Sequence, residues 1–430
     1  MKQIGDDRKS IICVSIILAA AVFLFLLNSE LYPFGNGKSS TDSSVFRTVA
    51  MMMDKGYMPY RDSFDHKGPL LYIIDYVGMK ISYTHGIWII EYISLFLTGM
   101  VFIGIAKMAG CNNLRSLIAA AITLSALGGY FDHGNLAEKY AMPFIAVSLY
   151  LFLGFLLKDK ISILRAVCLG FCLGAVFLLR ANMIGLWIVF CPAVLIKSIR
   201  TEKIIRTLRH LAFFLLGLIA AVLPVMLWLV ANGAFSDFRF AYFVFNGMYA
   251  SGAGGQASFR MILESMVTFS SPFLFQACLI AMIVSFVTGK ENRFTDGAYI
   301  FYMLINLPLL AMSGLTYGHY GMLLIPSLIL PAAKIVNFIG KMDNRALTGF
   351  AVIFFVINAF LHPIARTAHS IYQCFVDRGR VQGSAGELID TIVENTDPDD
   401  RISVYGKDDW IYVLSERMHA TRYSYQYGAS

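Results

Sequence analysis

The stretch HLAFFLLGLIAAVLPVMLWLVA, residues 210–231, contains no Asp, Glu, Lys or Arg. As a helix it is long enough to cross the roughly 30 Å hydrocarbon core of a bilayer. It follows directly on the basic step Arg206-Thr207-Leu208-Arg209. Reading outward, further apolar runs fall at 11–28, 87–108, 115–131, 140–157, 162–179, 183–199, 266–288, 297–315, 319–338 and 346–363. Together these runs predict an all-α polytopic membrane protein with about eleven transmembrane helices. Composition agrees. Of 430 residues, 57% are apolar and 15% charged, whereas soluble domains carry roughly 25% charged residues. Low charge and high hydropathy exclude a disordered chain. The seven cysteines form no CxxC pair and lie mostly within apolar runs, which excludes a disulfide scaffold and reads as packing.

The net charge of +7 does not point to nucleic acid, because the basic residues are spread over short loops between apolar runs. Those loops set the expected orientation instead. With the N-terminus cytoplasmic, inner segments hold 18 of the 35 Lys and Arg residues and the outer loops before the tail hold 10, as the positive-inside bias requires. The first run leaves the membrane through Asn28-Ser29-Glu30-Leu31-Tyr32-Pro33, which lacks a small-x-small cleavage site, so it reads as an uncleaved anchor. An odd number of spans places the tail outside. The expected division is a transmembrane domain over 1–363, with a first outer loop at 29–86, and a small extracytoplasmic α/β segment over 364–430.

The outer segments are long and chemically mixed, while the inner loops are short and basic, so chemistry is expected outside. No P-loop or Gly-rich phosphate cradle is present. In the first outer loop, Val45, Phe46, Val49, Ala50 and Met53 share one helical face, and Arg47, Thr48, Asp54 and Lys55 share the other. This predicts an interfacial helix over 43–55 with Asp42 at its N-cap. Pro69 opens a second amphipathic helix. Two such helices flanking a polar hairpin bring Asp42 and Lys67 to the same depth.

The whole stretch, TDSSVFRTVAMMMDKGYMPYRDSFDHKGPLLY over residues 41–72, resembles the first outer loop of GT-C membrane glycosyltransferases. These are the relatives of protein O-mannosyltransferases, lipid A aminoarabinose transferase and the RgtA-like enzymes. The resemblance implies transfer of a sugar from a polyprenyl-phosphate donor to an extracytoplasmic glycan, lipid or protein acceptor in the plasma membrane. By position, Asp42 matches the family's catalytic acid. Gly56, Pro59, Tyr60 and Asp62 match its Gly-x-x-Pro-Tyr-x-Asp step, and Lys67-Gly68-Pro69 its phosphate-binding lysine step, with His66 beside it. The chain departs from many relatives in carrying Asp42-Ser43 rather than Asp-Glu, and Val45 where some carry arginine.

Residues 130–140, YFDHGNLAEKY, resemble a turn beside the donor site in RgtA-like members, which makes Asn135 and Glu138 substrate-side candidates. Glu138 reads either as a ligand to a substrate hydroxyl or divalent ion (Mg or Mn), or as a solvated acid at a helix N-terminus. Asp132 and His133 have no further partners at metal-ligand spacing and read as loop residues. Arg180, ending the fifth run, is either a phosphate clamp or a snorkelling side chain. His319 and Tyr320 open the tenth run at the same face as substrate-side candidates; His319 reads either as a contact to the donor phosphate or sugar or as a satisfied interfacial histidine. Phe238–Tyr249 reads as an aromatic interfacial helix followed by the flexible Ser251–Gly255. Glu91 and Asp75, within apolar stretches, read as paired. In the tail, 401–406 and 410–414 have strand-like alternation. A flippase of lipid-linked sugars and a polymerase or ligase of lipid-linked glycans are the competing functions. The transporter reading lacks the internal repeat and mid-membrane polar groups that transporters carry.

Overall fold

The computed structural model describes residues 2–33, 35–160, 162–201, 203–248, 258–312, 316–342 and 383–425, with scattered positions between 346 and 372. The helices are α1 Lys2–Leu26, α2 Thr41–Asp54, α3 Pro69–Ile81, α4 Gly86–Met108, α5 Asn113–Ser125, α6 Ala137–Lys158, α7 Ile163–Leu179, α8 Gly185–Arg200, α9 Ile204–Ala231 and α10 Phe235–Arg239. After a π-turn at Phe240–Phe245 come α11 Phe259–Ser270, α12 Phe273–Thr288 and α13 Arg293–Ala311. A 3-10 segment, Gly318–Leu324, leads into α14 Ile325–Ile339. The tail contributes α15 Ser384–Asn395, β1 Arg401–Ile402, α16 Trp410–Ser415 and β2 Met418–His419.

The all-α polytopic architecture is present. Among the described residues, seven helices are long and apolar enough to cross a membrane, and α11 with α12 would make an eighth if the pair counts as one span. The expected count of eleven is therefore not reproduced. The third expected span is split between the 13 residues of α5 and a 3-10 turn over Ala126–Gly129, and the fifth is the 17-residue α7. The eighth breaks at Ser271-Pro272 into two helices meeting at 84°. Pro272 supplies the break, since it cannot continue the hydrogen-bond ladder. The eleventh, 346–363, lies largely outside the described residues, as does Ser251–Gly255.

Burial follows the logic of a lipid solvent. α6 lies in the middle of the bundle, with Tyr140, Ala141, Ile145, Leu149 and Leu153 enclosed. α9, by contrast, leaves Leu211, Leu215, Ile219, Leu223 and Leu227 exposed along one side, as a helix facing hydrocarbon does. The tail folds back onto the first long loop: Tyr83 donates to the Val413 carbonyl at 2.8 Å, and Thr48 Oγ1 to the Asp409 carbonyl at 3.3 Å.

That docking corrects two expectations. Arg47 and Thr48, expected on a solvated face, are 0% exposed because α16 covers them. Arg47 is held by the Gly37 carbonyl at 2.6 Å and Ser39 Oγ at 3.1 Å. Residues 410–414, expected as a strand, form α16, with Trp410, Ile411, Tyr412 and Val413 buried. Packing decides over strand propensity here. Among the described residues, the tail's strand content is one parallel pair, Arg401 with Met418 and Ile402 with His419.

Candidate active site

The hairpin between α2 and α3 is built to present Lys67. Gly56, at φ +88°, ends α2. Tyr60 adopts φ +69°, where a side chain is disfavoured, and is held there by its N–H on the Ser63 carbonyl at 2.8 Å. The buried Tyr60 hydroxyl donates to the Lys67 carbonyl at 2.9 Å, and the Lys67 N–H donates to Tyr72 Oη at 3.1 Å. Tyr72 in turn donates to Asp65 at 2.7 Å. Gly68 then crosses α7 so closely that a Cβ would lie 2.0 Å from the Leu178 carbonyl oxygen. Its N–H bonds the Leu179 carbonyl at 3.1 Å. Only glycine permits this approach, and it sets Lys67 beside Arg180, the residue after α7.

Opposite stands the first turn of α2. Ser40, not Asp42, occupies the N-cap, and Asp42 lies in the first turn, partly exposed. The expected cap role of Asp42 is thus taken two residues earlier in the chain, by Ser40. Its carboxylate remains favoured there by the helix dipole.

Asp42, His66, Lys67, Arg180, His319 and Tyr320 all line one cavity of about 530 Å³. Burial pulls the Lys67 pKa down, but the Asp42 carboxylate offsets this and holds the ammonium above its ordinary range. Burial, helped by the Lys67 charge, pushes His66 down to about 4, so it is neutral at pH 7. The His66 carbonyl accepts from Asn246 Nδ2 at 2.8 Å. The Arg180 guanidinium pairs with Glu138 and lies 4.2 Å from the centre of the Tyr320 ring. Glu138 is therefore neither solvated nor open to substrate; its carboxylate anchors the arginine.

Four candidates fall outside the cavity: Glu138, Tyr60, Asp62 and Asn135. Asp62 accepts from the Met58 N–H at 2.8 Å and pairs with Arg61 at 2.7 Å, closing the hairpin turn. Asn135 is fully enclosed: its Nδ2 donates to Ser43 and to Asp75, each at 3.0 Å, and its Oδ1 accepts from Tyr140 at 2.8 Å. Like Tyr60, these residues support the site without facing it, since their polar atoms are consumed by the scaffold.

The cavity also holds Asp65, Lys407 and Tyr425, which local sequence did not single out, and Asp132, which read as a loop residue. Lys407 and Tyr425 arrive with the tail, which the loop grips through Phe64 N–H to the Arg422 carbonyl (2.7 Å), Arg422 Nη2 to the Tyr60 carbonyl (2.9 Å) and His419 Nε2 to Ser63 Oγ (3.0 Å). Asp132 pairs with His319 at 2.9 Å. Among the described residues, no three His, Cys, Asp or Glu side chains converge as a metal-binding set.

A family model described as "Putative competence-induced protein Ccs4 N-terminal domain" matches residues 4–362. The chain belongs to this family. No curated protein matches it. Among solved structures, the Ccs4-family chain is similar to ArnT from Cupriavidus metallidurans bound to undecaprenyl phosphate, at 14% identity and TM-score 0.58, over 97% of this chain and 86% of that one. The apo state of that ArnT gives TM-score 0.60 at 13% identity, over 96% and 87% of the two chains. The oligosaccharyltransferase AglB from Archaeoglobus fulgidus, in complex with an inhibitory peptide and a dolichol-phosphate, gives TM-score 0.52 at 12% identity, over 95% and 64%. At these identities the likeness is one of fold, and the fold is the one expected from the GT-C resemblance.

Proposed function

We propose that this Ccs4-family protein is a membrane glycosyltransferase that moves a sugar from a polyprenyl-phosphate donor to an acceptor hydroxyl, with inversion at the anomeric carbon. The observation that carries the reading is the meeting of Asp42, from α2, with Lys67 and Arg180 in one cavity. One carboxylate and two fixed cations are what the reaction needs. The ligands named for ArnT and AglB, undecaprenyl phosphate and dolichol-phosphate, belong to the proposed donor class.

In this reading the acceptor hydroxyl gives its proton to Asp42, and its oxygen attacks the anomeric carbon. The bond from that carbon to the phosphate oxygen breaks on the opposite face. Lys67 and Arg180 receive the charge that develops on the phosphate. Base assistance of this kind contributes roughly 10²–10⁴ in rate. An apolar groove of about 500 Å³ between α7 and α9, lined by Leu173, Phe177, Leu218 and Met226, suits the polyprenyl chain. Tyr242 joins the two regions, since it lines the cavity and donates to the Phe177 carbonyl. The cavity end of the bundle then faces the extracytoplasmic side, with the N-terminus cytoplasmic, in keeping with the distribution of Lys and Arg.

The test is transfer by the purified chain in proteoliposomes supplied with a panel of polyprenyl-phosphate sugars and hydroxyl acceptors. Glycosylated acceptor with inverted anomeric configuration is the expected product. Movement of the lipid-linked sugar across the bilayer with no transfer from any donor would replace the reading with a flippase.

A further inference from the structure

A second proton-handling group lies in the cavity wall away from Asp42. His319 is 8% exposed and pairs through Nδ1 with Asp132 Oδ2 at 2.9 Å. Its ring is stacked on Tyr317, with centroids 5.7 Å apart, and meets Tyr320 edge-on at 4.8 Å. Tyr320 in turn carries the Arg180 guanidinium over its other contacts, at 4.2 Å from the ring centre. The imidazole therefore sits one aromatic ring away from the cation that would hold the phosphate. It is fixed on one nitrogen, which commits the other to a separate partner.

The carboxylate that fixes it is itself held in unusual backbone. Asp132, His133 and Asn135 take φ values of +40°, +66° and +45°, with Gly134 at +92° between them. A non-glycine residue in this region is strained and persists only where its surroundings enforce it. Here they do: Asn135 is bonded on every polar atom of its side chain, and its N–H donates to Glu91 Oε1 at 2.6 Å. The left-handed run ends in a buried anchor and leaves Asp132 in the cavity, facing a histidine 187 residues further along the chain.

The chemistry of the donor gives that pair a task. This rests on the glycosyl-transfer reading above. A sugar-phosphate diester carries one negative charge. When the bond to the sugar breaks, the product is a phosphate monoester whose second ionisation lies near 6. Imidazole is the side chain most often used to pass a proton to a reacting group, and His319 lines the cavity where that proton is needed. We propose that His319, oriented by Asp132, protonates the leaving phosphate. The Nε2–H proton moves to a phosphoryl oxygen as the anomeric C–O bond breaks, and Asp42 takes the proton of the acceptor hydroxyl. Solvent then returns a proton to His319 and removes one from Asp42, so the cycle closes with no other reagent. His319 is the catalytic residue and Asp132 a positioning residue.

The charged and titratable groups facing His319 are Asp132 from the loop before α6, Glu138 from α6, Arg180 from the end of α7, and Tyr317 and Tyr320 from its own segment. The test is the pH–rate profile in proteoliposomes, with the polyprenyl-phosphate sugar that the wild-type chain uses. Wild type should lose rate on an alkaline limb, because the proposed step needs a proton on His319. His319→Gln should lower the rate by roughly 10²-fold or more and abolish that limb. Asp132→Asn should keep a limb but move it to lower pH, because the carboxylate that stabilises the imidazolium is gone. It also carries the test if His319→Gln fails to fold. A His319→Gln profile of wild-type shape, merely scaled down with the melting temperature, would overturn the assignment and leave the histidine a packing residue. Asp132→Asn with an unmoved limb would overturn the positioning role. These outcomes differ from failure of the reading beneath, which would appear as wild-type chain transferring from no donor at all.

Discussion

Glu138 and Lys139 are neighbours in the chain, both are buried, and both form ion pairs, yet they belong to different parts of the molecule. Lys139 points into a closed network beneath the first long loop. There it pairs with Glu91, which also accepts from Ser29 Oγ at 2.7 Å and from the Asn135 N–H at 2.6 Å. Neither Lys139 nor Glu91 shows any side-chain surface. Burial pushes the nearby Asp75 carboxyl up to about 8, so this acid is kept neutral at pH 7. Glu138, one residue earlier, turns toward Arg180, whose side chain is 21% exposed and lines the cavity. The difference teaches that burial of charge does not by itself mark a functional site. A sealed pair fixes the scaffold. A pair with one member open to a cavity leaves that member available to a ligand.

Breaking the sealed pair should have the largest effect on folding. Lys139→Met leaves Glu91 buried without its cation, and removing one partner of a buried pair costs about 3–5 kcal/mol. A chemical-denaturation midpoint in detergent should fall accordingly, and Glu91→Gln in the same chain should recover part of the loss. An unchanged midpoint in Lys139→Met would show that the two regions do not differ in this way.

The open pair should respond in the opposite sense. Arg180→Lys keeps the charge against Glu138 but loses the planar fork that meets phosphate through two bonds. One charge-assisted hydrogen bond is worth about 1.5–3 kcal/mol, so the KM for the donor should rise roughly 10–100-fold while the denaturation midpoint moves little. A fall in stability with donor KM unchanged would move Arg180 into the scaffold beside Lys139.

The same contrast explains what was legible in the sequence. The apolar runs are local, and most of those within the described residues emerge as helices close to where they were expected. The two short helices around the hairpin are also local, through the amphipathic pattern at 45–53 and through Pro69. Asp42 and Lys67 could be named through the resemblance carried by residues 41–72, and Arg180 and His319 because each stands at the end of an apolar run. What could not be read depends on closure over long separations. Arg47 looks solvated until α16 covers it. Asp132 looks like a loop acid until His319 meets it. Lys407 and Tyr425 become cavity residues only because the tail docks on the loop through Arg422 and His419. Asn135, placed by motif on the substrate side, turns inward because Ser43, Asp75 and Tyr140 claim its side chain. Motif position tells which loop a residue occupies, whereas the side of that loop it faces is decided by partners the motif does not contain.

The most direct measurement is turnover of Asp42→Asn, made beside a thermal melt and a donor-binding assay. Ser40 holds the N-cap, and Asp42 contributes to α2 only through the helix dipole, an effect of about 0.3–1 kcal/mol. Asparagine should therefore leave fold and donor binding nearly intact. Because it cannot accept the acceptor's proton, turnover should fall by roughly 10²–10⁴. Wild-type turnover with wild-type stability in Asp42→Asn would contradict the account and remove Asp42 from the chemistry of the cavity.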